Sequence, residues 1–214
     1  MIVLAIDTCL GACSVAVVSD GRTVAAASEP MTRGHQERLA PMAREVMARA
    51  GLDFAALDRI AVTVGPGSFT GLRVGLAFAK GLALALGKPC IGVGSLEALA
   101  ASVTNNGPVA AVIDSGRGQV YLQTFEAGRA LSPPQVLSLE DAGSRVVELS
   151  DGVLSGPGAA LLSTAAAGFE LRPVATPEPA AVARLAASAP AAPPTPLYLR
   201  PPDAKPPAAK PKAA

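Results

Sequence analysis

The chain has 214 residues, half of them hydrophobic, and a formal net charge of +1 at pH 7. That length allows one large or two small cored units, and so balanced a charge excludes a polyanion-binding surface spread over the whole molecule. Aromatic residues make up 3% and tryptophan is absent, so the core is built from Ala, Val, Leu and Gly, and elements can approach closely.

Residues 2–6 read as a buried strand, 14–19 as a second and 22–28 as a third, with Asp20-Gly21 as a two-residue hairpin turn. Three antiparallel strands at the start argue against a Rossmann unit, which puts a helix after its first strand. The opening MIVLAIDT has no basic segment before its apolar run, so a strand and not a signal peptide is expected. Leu39, Ala43, Val46, Met47 and Ala50 predict a helix over 36–50, stopped by Gly51. Pro41 then sits either in the first turn of a later-starting helix or at a kink. A strand over 59–64 follows, then the GPGS turn, a helix over 70–86, a strand over 90–93, and a helix over 96–103 capped by Ser95.

Asn105-Asn106-Gly107-Pro108 is a turn-rich junction. Beyond it, strands over 109–113 and 119–125 flank a turn at 115–118, a helix covers 139–149, and Val153-Leu154 lead through SGPG into another helix. From Ala189 onward Pro, Ala and Lys dominate and a flexible or PPII chain is expected, except for PLYLR at 196–200, which is apolar enough to dock. The expected organisation is a first α/β unit over 1–104, a smaller second over 105–200, and a tail over 201–214. An Asp in each early hairpin, Asp7 and Asp114, suggests two related halves, the second reduced.

The three cysteines, Cys9, Cys13 and Cys90, are an odd number and argue against a secreted disulfide scaffold. The longest apolar stretch, 74–87, contains Lys80 and is too short to span a bilayer, so no membrane partner and a cytoplasmic location are expected. His35 is the sole histidine, which excludes a His-pair zinc site; it reads as a hydrogen-bonding residue at a helix entrance.

Asp7-Thr8 and Asp114 could hold Mg²⁺ waters beneath a nucleotide's phosphates, or simply make turns. Gly156 and Gly158 could lie against an adenine or bind an anion at a helix entry, but no Walker A lysine follows. Ser68 lies in a glycine turn between strand and helix, yet its surroundings are not the G-x-S-x-G of a nucleophile elbow, so Ser68 or Thr70 is read as a helix cap. The helix after it is apolar nearly all round, through Leu72, Val74, Leu76, Phe78, Leu82, Leu84 and Leu86. Gly71, Gly75, Ala79 and Ala83 make a small-residue stripe every four residues, at a propensity cost of about 1 kcal/mol per glycine against Ala. The expectation is that another face packs on the chain's own sheet and the stripe receives a partner, so that Gly75→Leu blocks docking. Enclosure of the whole helix by this chain is the alternative. A rival of a different class is an autonomous ATP-dependent small-molecule kinase or ATPase using Asp7 and Asp114.

The segments IDTCLGACSVAVV, GHQERLAP, VGPGSFTGLRVGLAFAKGLA, IDSGRGQVY and PLYLR, in this order, resemble the TsaB (YeaZ) family, relatives of the TsaD/Gcp-like proteins. The resemblance covers almost the whole chain except the tail. It implies an actin-like ATPase (ASKHA, RNase H-like) α/β fold with a truncated second half. It also implies a non-catalytic partner of TsaD, which transfers threonylcarbamoyl to the adenosine beside the tRNA anticodon. TsaE is then a further partner, a homodimer forms when TsaD is absent, and tRNA is met through the complex. No metal and no cofactor of its own is implied; ATP or ADP with Mg²⁺ belongs to the assembled complex. The implied interface covers Gly65, Pro66, Gly67, Ser68, Phe69, Thr70, Gly71, Leu72, Arg73, Gly75, Phe78, Ala79 and Leu82. The hairpin departs from the family: Asp114-Ser115-Gly116-Arg117-Gly118 stands where relatives more often have Asp-Ala-Arg, which weakens a phosphate contact there. Older descriptions of the family as a peptidase find no support in these residues.

Overall fold

The computed structural model describes residues 1–200, and the tail expected over 201–214 lies outside the described residues. Two lobes repeat one plan. The first contains β1 (Ile2–Asp7), β2 (Ala12–Ser19), β3 (Arg22–Pro30), α1 (His35–Arg49), β4 (Arg59–Thr63), α2 (Phe69–Leu86), β5 (Cys90–Val93) and α3 (Ser95–Ala101). The second contains β6 (Val109–Gly116), β7 (Gln119–Glu126), β8 (Arg129–Ala130), β9 (Gln135–Ser138), α4 (Leu139–Val147), β10 (Gly152–Ser155), a 3-10 turn at Ala159–Leu162, β11 (Phe169–Arg172) and α5 (Pro179–Ser188).

The first sheet has the order β3-β2-β1-β4-β5, with β1–β2 and β2–β3 antiparallel and β1–β4 and β4–β5 parallel. The second has the order β11-β10-β6-β7-β8, with β9 also on β7; β6–β10 and β10–β11 are parallel and β6–β7 antiparallel. Each is therefore a three-stranded antiparallel meander extended on its first strand by two parallel strands. The side-chain period of two divides each sheet into two buried faces. Leu4, Ile6, Val15 and Val17 pack under α1 and α2, whereas Val3, Ala5, Ala16 and Val18 pack under α5. In the second sheet, Val112, Leu122 and Leu154 meet α4 and the 3-10 turn, and Val109, Ala111, Ile113 and Val153 meet α3.

The helix that ends each lobe thus covers the other lobe's sheet. This divides the second unit expected over 105–200, because α5 belongs to the first lobe's core through Val182, Ala183 and Ala186. Other expectations also change. Helix α1 starts at His35 and carries Pro41 in its interior, past the first turn; it stops before Gly51, which is left-handed at φ 65°. Ser95 is not a cap: it is the first residue of α3, fully buried, and its N–H donates to Gly65 O at 2.8 Å. That bond ties α3 to the glycine turn and leaves Gly94 at the cap position. The helix expected after SGPG is only the 3-10 turn. Strands β8, β9 and β11 and helix α5 have no counterpart among the expected elements; α5 opens with Pro179, whose missing N–H is no loss at a first helical position.

Candidate functional site

The loop after β4 and the start of α2 are pressed onto the end of β1. Ser68 donates its N–H to Cys9 O at 2.7 Å, and its hydroxyl caps α2 by accepting from Gly71 N at 3.2 Å. Thr8 Oγ1 donates to Gly71 O at 2.7 Å. A Cβ on Gly71 would fall on the carbonyl oxygen of Thr8, one on Gly67 on that of Cys9, and one on Gly75 on the Thr8 hydroxyl. These glycines are therefore required for helix and strand to touch at all.

This overturns the docking role expected for the small-residue stripe. Gly71, Gly75, Ala79 and Ala83 are buried within the chain's own core, and Gly75→Leu would damage the fold before it tested any interface. Of the other expected interface residues, Gly65, Pro66 and Leu72 are also buried. Gly67, Phe78 and Leu82 are half-buried, and Ser68, Phe69, Thr70 and Arg73 are exposed. The uncovered side of α2 continues through Ala77, Gly81, Leu84 and Ala85, and Leu84 is 85% exposed. Those four residues are missing from the expected interface. They lie four, eight, eleven and twelve residues after exposed Arg73, so helical spacing from Arg73 marks them as one side of the helix. By length and composition alone α2 could cross a membrane, and 33% of it is buried.

A cleft of about 350 Å³ separates the lobes, lined by Cys9, Leu10, Gly11, Gly67, Ser68, Ile113, Asp114, Ser115, Tyr121 and Pro157. Among the expected nucleotide residues, Asp114 lines it, exposed, its Oδ1 accepting from Gly116 N at 2.7 Å. Asp7 does not: it is turned into the core, accepting from Thr63 Oγ1 at 2.6 Å and Cys9 N at 3.1 Å. Burial raises the Asp7 pKa above its ordinary value, against the pull of these two hydrogen bonds. Its Oδ2 and the Nε2 of buried His35 make no hydrogen bond among the described residues. Thr8 is spent on Gly71. Gly156 and Gly158 press on β6, where a Cβ would strike the Val112 carbonyl oxygen or the Asp114 amide.

A Mg²⁺–nucleotide needs carboxylates toward the metal and free N–H or cationic donors toward the phosphates. The cleft lining offers one carboxylate and, among the described residues, no lysine or arginine. The N–H groups of Ser68, Gly116 and Gly158 already donate to Cys9, Asp114 and Val112. These residues do not form that cradle. No cluster of metal-ligating side chains occurs among the described residues. The thiols are poor nucleophiles: burial pushes Cys9 up to about 12, and Cys13 and Cys90 to about 11.

Two lobes of one strand order facing each other across a cleft define the class, an α/β protein of the actin-like ATPase fold. An Acidaminococcus fermentans (R)-2-hydroxyglutaryl-CoA dehydratase component A shares that fold at TM-score 0.54 and 15% identity, over 87% of this chain and 96% of that one. The family model for TsaD, tRNA N6-adenosine threonylcarbamoyltransferase, matches residues 28–176. The tRNA threonylcarbamoyladenosine biosynthesis protein TsaB of Escherichia coli is 41% identical over 129 residues, covering 59% of this chain. The chain spans about half of that relative, 55% of its length. A Pseudomonas aeruginosa crystal structure, of an uncharacterized protein with similarity to peptidase YeaZ, superimposes at TM-score 0.80 and 30% identity, covering 93% of this chain and 99% of that one. The chain belongs to the TsaD-related family, on the branch of TsaB (YeaZ).

Proposed function

We propose that this chain is a non-catalytic, cytoplasmic subunit of tRNA threonylcarbamoyladenosine biosynthesis. It docks the threonylcarbamoyltransferase TsaD through the outward side of α2 and helps form the surface on which TsaE sits. In the absence of TsaD the same side pairs with a second copy. The chain meets tRNA through the complex and turns over no nucleotide of its own; any ATP or ADP with Mg²⁺ acts in the assembly.

The observation that carries this reading is the uncovered side of α2 through Ala77, Gly81, Ala85 and above all Leu84, which stands 85% exposed. Burying one such side chain contributes about 1.5–3 kcal/mol, and α2 leaves that contribution unused in the isolated chain. The name of the E. coli relative supports the process, and the crowded, single-carboxylate cleft supports a scaffold over a kinase. Leu84→Glu tests it. Leu84 supports nothing within the fold, so stability should stay within about 0.5 kcal/mol, while co-purification with TsaD and tRNA modification in a strain lacking the wild-type gene are lost. Normal complex formation by that variant would exclude this face.

A further inference from the structure

After α5 the chain crosses from one lobe to the other. Pro194 is buried against Gly92 of β5. Leu197 donates its N–H to Val64 O at 2.8 Å, and a Cβ on Gly65 would meet the Leu197 carbonyl oxygen. The segment therefore lies flush with the end of the first sheet. Tyr198 packs on Phe69 in the first turn of α2, ring centroids 5.4 Å apart. The Arg73 guanidinium stands 3.7 Å over the Phe69 ring and donates through Nε to the Tyr198 hydroxyl at 3.1 Å. Two residues later Arg200 reaches the second lobe. It donates to Ser115 O at 2.8 Å, and to Gly116 O and Gln119 Oε1, gripping the β6–β7 turn. Ser68 and Ser115 line opposite sides of the cleft, so this segment has a foot on each of its rims.

We propose that residues 194–200 are an interlobe clasp. Arg200 is the latch on the second lobe and Tyr198 is the joint on α2, so the docking end of α2 and the β6–β7 turn move together. Charged, multiply bonded Arg200 resists opening more than a neutral contact would, and the Tyr198–Arg73–Phe69 stack passes the restraint to the helix. A partner seated on Phe69 and Arg73 then meets a helix end whose position the second lobe sets. This effect on docking rests on the function proposed above; the clasp itself does not.

Hydrogen exchange on the full chain tests the clasp without any partner. Arg200→Ala should speed exchange roughly tenfold at the β6–β7 turn and also across the molecule at residues 64–69. Tyr198→Ala, made at the other foot, should likewise speed exchange at 64–69 and at the distant turn together. Arg145→Ala, which removes an exposed ion pair with Glu148, should change neither site. A rise confined to the mutated side, or no rise, overturns the clasp. Binding to TsaD is measured on the same variants, and Arg200→Ala should weaken it about fivefold. Coupled exchange with unchanged affinity overturns the link to docking and leaves the clasp. Leu84→Glu separates the two readings: it should abolish binding while exchange at both feet of the clasp stays as in the wild type.

Discussion

The two lobes share a strand order and differ most in one connection. Between its fourth and fifth strands in chain order the first lobe inserts the 18-residue helix α2; at the matching place, between β10 and β11, the second has a 3-10 turn of four residues. Both connections begin the same way, with glycines pressed onto the end of the lobe's first strand: Gly67 and Gly71 on β1, Gly156 and Gly158 on β6. The glycine turn is therefore part of the repeated architecture. The first lobe is set apart by the length and apolarity of the helix that its turn opens. A long helix has an inner side for the core and an outer side left over, whereas a single 3-10 turn is used up in closing its own lobe.

The comparison is broken most severely at the shared glycines. Gly71→Val should destabilise by about 3 kcal/mol or more, because the Thr8 carbonyl it meets is backbone and cannot move aside. Gly158→Val should do the same in the second lobe, and urea denaturation measures both. If Gly71→Val were tolerated while Gly158→Val was not, the equivalence of the two turns would fail. Capping gives a smaller contrast. Ser68→Ala removes the bond to Gly71 N, and Ser138→Ala removes the bond from Asp141 N to Ser138 Oγ at the start of α4; each should cost about 1 kcal/mol. The smallest effect belongs to the outer side of α2. A Cβ on Gly81 meets nothing within 4 Å, so Gly81→Ala should stabilise by about 0.5–1 kcal/mol through helix propensity.

The buried aspartate adds a pH dependence. Asp114 is exposed in its turn, while burial holds Asp7 above its ordinary 3.8. The folded chain therefore binds the Asp7 proton more readily than the unfolded chain does. As pH rises above that ordinary value, unfolded Asp7 ionises first and the folded state loses stability, until the folded group ionises as well. Thermal unfolding of wild type and Asp7→Asn between about pH 4 and pH 7 should show wild type losing ground to the variant as pH rises.

Much of the first lobe is legible in the chain. Alternation and the Asp20-Gly21 turn mark the β1–β3 meander, helical spacing marks α1, and Ser68 announces the start of α2. These signals are local, carried by neighbours in sequence. PLYLR stood out as an apolar island in a Pro-Ala segment, but its two feet on opposite lobes did not. Helix α5 has a weak pattern because alanine serves equally well on a buried or an exposed face, and its cover is the sheet of the other lobe.

The residues by themselves determined the two-half plan, the family resemblance and the small, closely packed core, since periodicity and composition report what each segment can bury. Only the tertiary structure decided which side of α2 is free. A helix apolar on every side carries no sequence mark of inside and outside, and the choice was made by the carbonyl of Thr8, which admits Gly71 and nothing larger. The same holds for Asp7 and Asp114, alike as turn aspartates in sequence. Packing against Thr63 and Cys9 drew one into the core, and solvent kept the other at the cleft.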